Sequence, residues 1–569
     1  MPSRRLPATA TIPRKKTEGL TISGKTYTTT SAYNTRGELT QLTYPDATIV
    51  QRTYTARGEL YSLKHAGMTV VVRIYDNGGR LVTDAYNNTV TETRTYNLDN
   101  TLASISDNKS IGDLNYTWDA NKNKTAETIS GTMSNYGFSI PSGGYDDEDR
   151  LTSFNRTVGL TQSWNLSLVG DWNSVTTNGT AQARTLGPSH ELLTGAGGAV
   201  STDVKGNITV IPAALRPSGV ALAMTWDFDN RMATAVTGST TVSHKYDALG
   251  RRVARTEGAN TTIYAQSGQQ TVCDYVAGAA PTASTYRYLF ASYIDEPVVR
   301  ITTSGSVATY LHRNQQYSIT ALTNSTGAVV ERYAYTAYGV PTITNASGTV
   351  LTSSAQNNRY LYTGREWDGA ISLYHYRARM YDASLGRFCS RDPIGFEGSK
   401  WGLYAYLDCK PTTGVDPQGL TRGGDQNKMP SDCTTQTTIK EVQEKMEEAK
   451  KAGKMKHYKA LKGWLKILKR GGPNCILPIA IWWNISGTCS AGEPAFDPPC
   501  SCKCVTEVES ERTMLGIFPV NEIQTSIVAE EPPYPSPPEV CGTTSVSTTY
   551  QTRFPYRIRT SVSRVCICE

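Results

Sequence analysis

Along the first quarter of the chain, apolar and polar residues alternate with a period of two, as in Leu39-Thr-Gln-Leu-Thr-Tyr44 and Met68-Thr-Val-Val-Val-Arg-Ile74. That alternation predicts short, half-buried β-strands. The strands are punctuated by a recurring cluster: Tyr33-Asn-Thr-Arg-Gly-Glu-Leu39, Tyr54-Thr-Ala-Arg-Gly-Glu-Leu60, Tyr75-Asp-Asn-Gly-Gly-Arg-Leu81, Tyr96-Asn-Leu-Asp-Asn-Thr-Leu102 and Tyr116-Thr-Trp-Asp-Ala-Asn121. Successive tyrosines stand 21, 21, 21 and 20 residues apart. Degenerate copies follow at Tyr145-Asp-Asp-Glu-Asp-Arg-Leu151, Trp226-Asp-Phe-Asp-Asn-Arg-Met232 and Tyr246-Asp-Ala-Leu-Gly-Arg-Arg252. Asx and Gly between the Tyr and the Leu tolerate the positive φ that a tight turn needs, so each unit reads as a hairpin. Two strands cannot bury a face alone, and neighbouring units must stack into a continuous sheet. Tyrosine and leucine at fixed phase then form ladders along it. Stacking of the same aromatics on sugars is the alternative use.

Composition sharpens this picture. Tyr outnumbers Phe by 33 to 9, which suits strands that bury a ring and keep its hydroxyl near polar partners. Charged residues make up 19% of 569 and the net charge is +7, which excludes a disordered polyelectrolyte. No run reaches the roughly 18 apolar residues of a membrane span. The most apolar one, Cys475–Trp483, is short, contains Pro478, and reads as a core strand. Residues 1–24 form a basic N-terminal segment in which Arg4-Arg5 lacks the apolar region a signal peptide carries.

Cysteine usage breaks at about residue 420. Cys273, Cys389 and Cys409 precede that point, and nine cysteines follow it. Just before the break lie Arg359-Tyr-Leu-Tyr-Thr-Gly-Arg-Glu-Trp-Asp-Gly369, Leu373-Tyr-His-Tyr-Arg-Ala-Arg-Met-Tyr-Asp382, Leu385-Gly-Arg-Phe388, Arg391-Asp-Pro-Ile-Gly-Phe396, Leu403-Tyr-Ala-Tyr406 and Pro411-Thr-Thr-Gly-Val-Asp-Pro-Gln-Gly-Leu420. The tyrosine units resemble the YD repeats of Rhs (rearrangement hotspot) and teneurin-like proteins, and these last segments resemble the Rhs repeat-associated core domain. The resemblance covers roughly residues 25–420. It implies an all-β fold in which a hairpin sheet spirals into a hollow shell closed by the core domain, with a variable C-terminal domain held inside. The expected organisation is repeats over 25–340, core domain over 341–420, linker over 421–436 and a small α+β, cysteine-rich domain over 437–569. At about 21 residues per hairpin, residues 25–420 supply fewer than twenty hairpins, so a partial shell is expected, or one completed by upstream sequence or a partner.

The resemblance also implies chemistry. In related Rhs proteins an aspartate pair acts as an intramolecular aspartyl protease that cuts after the Leu of Pro-x-x-x-x-Asp-Pro-x-Gly-Leu. Here the pair is Asp392 and Asp416, and the cut falls between Leu420 and Thr421. Such chemistry needs two carboxylates close enough to share a proton, with one activating water as the other protonates the carbonyl. Arg391 or Arg387 is the flanking cation expected to orient them. The competing reading is turn chemistry alone, because Asp-Pro starts turns. Two departures bear on the choice: Trp401-Gly402 stands where the family has glycine-asparagine, and Cys409-Lys410-Pro411 where it has Asn-Asn-Pro.

Beyond residue 420, Ile439, Val442, Met446 and Ala449, then Tyr458, Leu461, Leu465 and Leu468, repeat at helical spacing and predict basic helices over 437–470. The stretch Lys454–Arg470 is a solvated face or a contact for nucleic acid or an anionic membrane. Residues 474–569 are cysteine-rich. Cys500, Cys502 and Cys504 are metal candidates, although their i, i+2 spacing is not that of zinc ribbons and the tail's one histidine is His457. Disulfides are the competing use. Deaminase, HExxH, P-loop and dinucleotide-binding signatures are missing, and no cofactor is implied. The expected partners are the chain's own C-terminal domain, an immunity protein or a secretion-system component, and the expected location is secreted or at the cell surface. Two other readings stay open: a surface or wall-associated binding protein with a disulfide-bonded tail, and a displaced cassette without a working toxin.

Overall fold

The computed structural model describes residues 15–399 and 402–420, together with the backbone of four strands between Cys502 and Cys568. The first 420 residues carry two long antiparallel sheets in which every strand pairs with its sequence neighbours. The first has sixteen strands, from Thr17–Ile22 to Thr180–Ala183, and the second has fifteen, from Ser201–Thr202 to Val350–Leu351. A three-stranded sheet over residues 185–199 lies between them in sequence. A four-stranded sheet (Glu366–Asp368, Leu373–Tyr376, Arg379–Asp382, Arg387–Phe388) follows the second.

The repeat unit explains itself at Tyr75. The Asp76 carbonyl accepts the Gly79 N–H at 3.0 Å, and Asp76 Oδ1 accepts the Arg80 N–H at 2.9 Å. Asp76 Oδ2 in turn takes Arg80 Nε at 2.7 Å, and Gly79 sits at φ +80°. Aspartate therefore closes the turn and arginine four residues on locks it; the same pair recurs at Asp146–Arg150, Asp227–Arg231 and Asp247–Arg251.

The tyrosine has a separate task. Pairing between strands Leu60–His65 and Met68–Tyr75 begins at Ser62 opposite Val72, so the Leu60 carbonyl lies beyond the ladder, where twisted hairpins splay apart. The Tyr75 hydroxyl donates to that carbonyl at 2.9 Å. Tyr54 does the same for Leu39 and Tyr96 for Leu81, at 2.7 and 2.8 Å. In two units a tryptophan takes this role through its indole N–H: Trp118, not the Tyr116 that the spacing marks, to Leu102, and Trp226 to Ile208; the Tyr116 hydroxyl instead accepts the Gln315 N–H. The hydroxyls thus serve the sheet's own backbone.

The inner face of the first sheet meets the second. Leu42, Tyr44, Val50, Leu63 and Val71 share one core with Ile263, Val272, Tyr275, Leu289 and Val299. The later strands of the second sheet are buried on both faces: Leu289 points into that core, while Phe290 joins Trp164, Trp172, Tyr362, Tyr374, Tyr376, Tyr381, Phe388 and Tyr406 of another. Its early strands also bury Leu222, Met224, Met232 and Val242 against Leu373, Met380, Leu385 and Cys389. Residues 353–420 thus pack as a third layer against the second sheet and the last strands of the first. Where these layers meet, the space between them is filled by side chains. A cavity lined by Phe138, Phe154, Tyr333, Tyr362 and Pro411 has a volume of about 40 Å³, room for a few waters.

Between the first two layers runs a buried ionic network. Asp84 accepts Arg73 at 2.8 Å, Arg94 at 3.0 Å and Arg313 at 2.9 Å, and Glu296 pairs with Arg73 and Arg313. Burial pushes the Asp84 carboxyl up, but the three guanidiniums outweigh it and hold the group below its usual range.

Strands Cys502–Met514, Glu522–Glu530, Val546–Arg553 and Tyr556–Cys568 form a second, antiparallel unit. In its register Cys502 stands opposite Cys568 and Cys504 opposite Cys566. The expected linker, the helices of 437–470, the basic stretch Lys454–Arg470 and Cys500 lie outside the described residues.

Candidate functional site

Both aspartates of the sequence motif reach one buried site in the third layer, their side chains 3% and 0% exposed for Asp392 and Asp416. Asp392 follows the strand Arg387–Phe388, and its N–H donates to the Leu403 carbonyl at 2.8 Å. Its Oδ1 accepts the Ile394 N–H at 3.0 Å, the turn bond expected of Asp-Pro. Its Oδ2 is turned the other way, to Arg379 Nη2 at 2.8 Å. Asp416 divides its oxygens in the same manner. Oδ1 accepts the N–H of Leu420 at 3.1 Å, and Oδ2 lies 4.0 Å from the same Arg379 nitrogen. Each residue therefore makes a local turn with one oxygen and contributes the other to a shared site.

The cation of the site is Arg379 and neither Arg391 nor Arg387. Its guanidinium is 2% exposed and stacks over the Phe388 ring with its central carbon 3.6 Å from the centroid. Besides the two carboxylates it donates to the Gly419 and Leu403 carbonyls. Arg391, the residue singled out from sequence, points elsewhere: it pairs with Glu191 and lies 3.3 Å from the Tyr404 hydroxyl. Arg387 donates to the His190 carbonyl and stacks on Tyr404. Adjacency in sequence favoured Arg391. The available signal for Arg379 was a lone cation opening the strand Arg379–Asp382, which is buried throughout.

Electrostatics differentiate the groups. Burial pushes the Asp392 carboxyl up to about 6; the Arg379 charge and the Ile394 N–H oppose the rise, and Asp416 adds to it. Burial lowers the Arg379 guanidinium, with Asp392 and Asp416 opposing. The displacement of Asp392 thus comes mainly from dehydration and less from a second carboxylate.

Two glycines let the backbone close in. A side chain at Gly398 would collide with Asp392 Oδ2 and stand 2.8 Å from the Leu420 carbonyl oxygen. The Leu420 carbonyl and the Asp392 carboxyl therefore flank the same bare Cα. Gly419, at φ +70°, lies against the Tyr376 carbonyl, where a Cβ has no room. Chemically, the arrangement offers a carboxyl titrating near neutrality beside a carbonyl, a second carboxylate on the adjoining N–H, and a guanidinium to offset charge. Among the described residues no group of three or more His, Cys, Asp or Glu is disposed to hold a metal ion, and no helix is long and apolar enough to cross a membrane.

Comparison with known proteins places this architecture. No family model matches the chain. The tRNA3(Ser)-specific nuclease WapA of Bacillus spizizenii is 31% identical over 227 residues, and the tRNA nuclease WapA of Bacillus subtilis is 32% identical over 227. Each match covers 39% of this chain but spans only 9% of the relative's own length. Among solved structures, TcdB2–TccC3 superposes with a TM-score of 0.56 at 18% identity, covering 70% of this chain and 22% of that one. The chain is thus similar in sequence to these nucleases over part of its length, and its long antiparallel sheets share their fold with TcdB2–TccC3.

Proposed function

We propose that the protein delivers a toxin: the repeat sheets and core domain carry the segment beginning at Thr421 and release it by a single intramolecular cut after Leu420. The observation behind this reading is the convergence of Asp392, Arg379 and Asp416 on the Leu420 peptide. In the proposed reaction, water adds to the Leu420 carbonyl carbon and gives a proton to Asp416, while Asp392 donates its proton to the carbonyl oxygen. Collapse breaks the C–N bond as Asp416 passes its proton to the Thr421 nitrogen and Asp392 recovers a proton from the diol, leaving a free amine and a Leu420 carboxylic acid that ionises in water. Arg379 offsets the negative charge that builds up on the carboxylates. Volume to enclose the carried segment comes from a partner that extends the sheet, because the layers of residues 15–420 are packed solid where they meet.

The test is denaturing electrophoresis with N-terminal sequencing. Wild-type protein separates into two pieces, the smaller beginning at Thr421, whereas D392N and D416N each run as one chain of 62.1 kDa. An intact wild-type band from folded protein at neutral pH refutes the proposal.

A further inference from the structure

We infer that Arg377, anchored by Asp295 of the second sheet, is a positioning residue that presents the Leu420 peptide for cleavage only when that sheet is in place; the inference rests on the cleavage proposed above. Residues 417–420 are held along the tip of the hairpin formed by Leu373–Tyr376 and Arg379–Asp382. Arg377 donates to the Pro417 carbonyl, the Ala378 N–H to the Gln418 carbonyl at 3.2 Å, and Arg379 to the Gly419 carbonyl. Asp416 takes the Leu420 N–H. All four of these contacts are made within residues 353–420.

Arg377 is different, because its remaining bonds leave that segment. Its Nη2 and Nη1 lie 2.6 and 3.2 Å from the two oxygens of Asp295, and its Nε donates to the Gln269 carbonyl at 3.1 Å. Both partners belong to turns of the second sheet. Asp295 is itself immobilised: it is 2% exposed, takes Arg365 at 2.6 Å, and its carbonyl leaves no room for a side chain at Gly364. Arg377 sits at φ +56°, a left-handed conformation that a non-glycine residue adopts only when its surroundings fix it. The guanidinium is therefore a strut from a turn more than 80 residues upstream in sequence to the third residue before the scissile one. It touches Pro417, while Arg379 binds the reacting carboxylates. Its removal should misplace the peptide without changing the acid–base groups, and misplacement by about 1 Å costs on the order of a hundredfold in rate.

The experiment follows the full chain, synthesised as a pulse-labelled product, by denaturing electrophoresis across pH 5–9. R377A and D295N should each slow cleavage at least tenfold at every pH, with the pH midpoint of the wild type. R377K should retain part of the rate. Millimolar ethylguanidinium should restore R377A, since the side chain is 15% exposed and its site is open to a small cation. Thermal unfolding of R377A should match wild type within a few degrees, which separates positioning from loss of fold. The inference is overturned if R377A cuts at the wild-type rate, if its pH midpoint moves, or if the slowing tracks unfolded protein and ignores ethylguanidinium. An uncut wild-type chain overturns the cleavage reading as well, whereas a cut wild type with an equally fast R377A overturns this inference alone.

Discussion

If Asp392 supplies the proton to the Leu420 carbonyl, cleavage must slow as that carboxyl ionises. Its pKa near 6 sets the scale. Half of the molecules carry the proton at pH 6 and about one in a hundred at pH 8, so the first-order rate should fall about 50-fold across that interval, approaching tenfold per pH unit. The cause of the displacement supplies a control. Burial raises the group and Arg379 opposes that rise, so R379Q removes the opposing charge and should move the decline to higher pH. R379Q also loses the hold on the Gly419 carbonyl and should be slower overall, which makes the midpoint, not the absolute rate, the informative quantity. Pulse-labelled full-length chain, sampled in buffers from pH 5 to 9 and resolved under denaturing conditions, measures both. A flat profile between pH 5.5 and 8.5 would remove Asp392 from the role of proton donor. A rate that rises with pH through 6 would reverse its role to that of base.

Two further perturbations test the scaffold. Y75F deletes the donor to the Leu60 carbonyl while preserving the ring, and should cost about 1 kcal/mol in urea unfolding of the cleaved protein; no loss of stability would count against the hydroxyl's role. R73M strips one of three guanidiniums from Asp84 and one of two from Glu296, and should cost roughly 3–5 kcal/mol because buried carboxylates lose a partner. The Asp84 carboxyl is held below its unfolded value, so its contribution is present at neutral pH and disappears as pH falls through the folded pKa. R73M should therefore flatten the acid side of the stability curve, and an unchanged acid limb would refute the network's role.

The hairpins were legible because their determinants are local: an aspartate that closes its own turn, an arginine four residues on, and alternation that sets which face is buried. Asp392 and Asp416 were legible through the family likeness, and each also makes the turn that the simpler reading expected. Arg379 was not, because nothing local links it to residues 392 and 416; only the fold of the four-stranded sheet brings a guanidinium 13 residues before one carboxylate and 37 before the other into contact with both. The packing between the layers was hidden for a related reason. Strands of the second sheet such as Pro297–Thr302 are buried on both faces, and their partner layers are set by distant sequence.

The tyrosine contacts give the sheet a growth rule. Each unit leaves one carbonyl unsatisfied at its splayed end, and the aromatic residue of the following unit supplies the missing hydrogen, so every repeat completes the one before it. A wall built this way is modular with polarity. Gain or loss of a whole 21-residue unit by recombination rejoins a donor to an equivalent acceptor and keeps each strand's inward face inward. Gain or loss of half a unit strands a carbonyl and reverses the pleat. Chains of this type can thus change length in discrete steps through unequal exchange without redesigning any interface, whereas a sheet of unrelated strands would have to evolve each new contact separately.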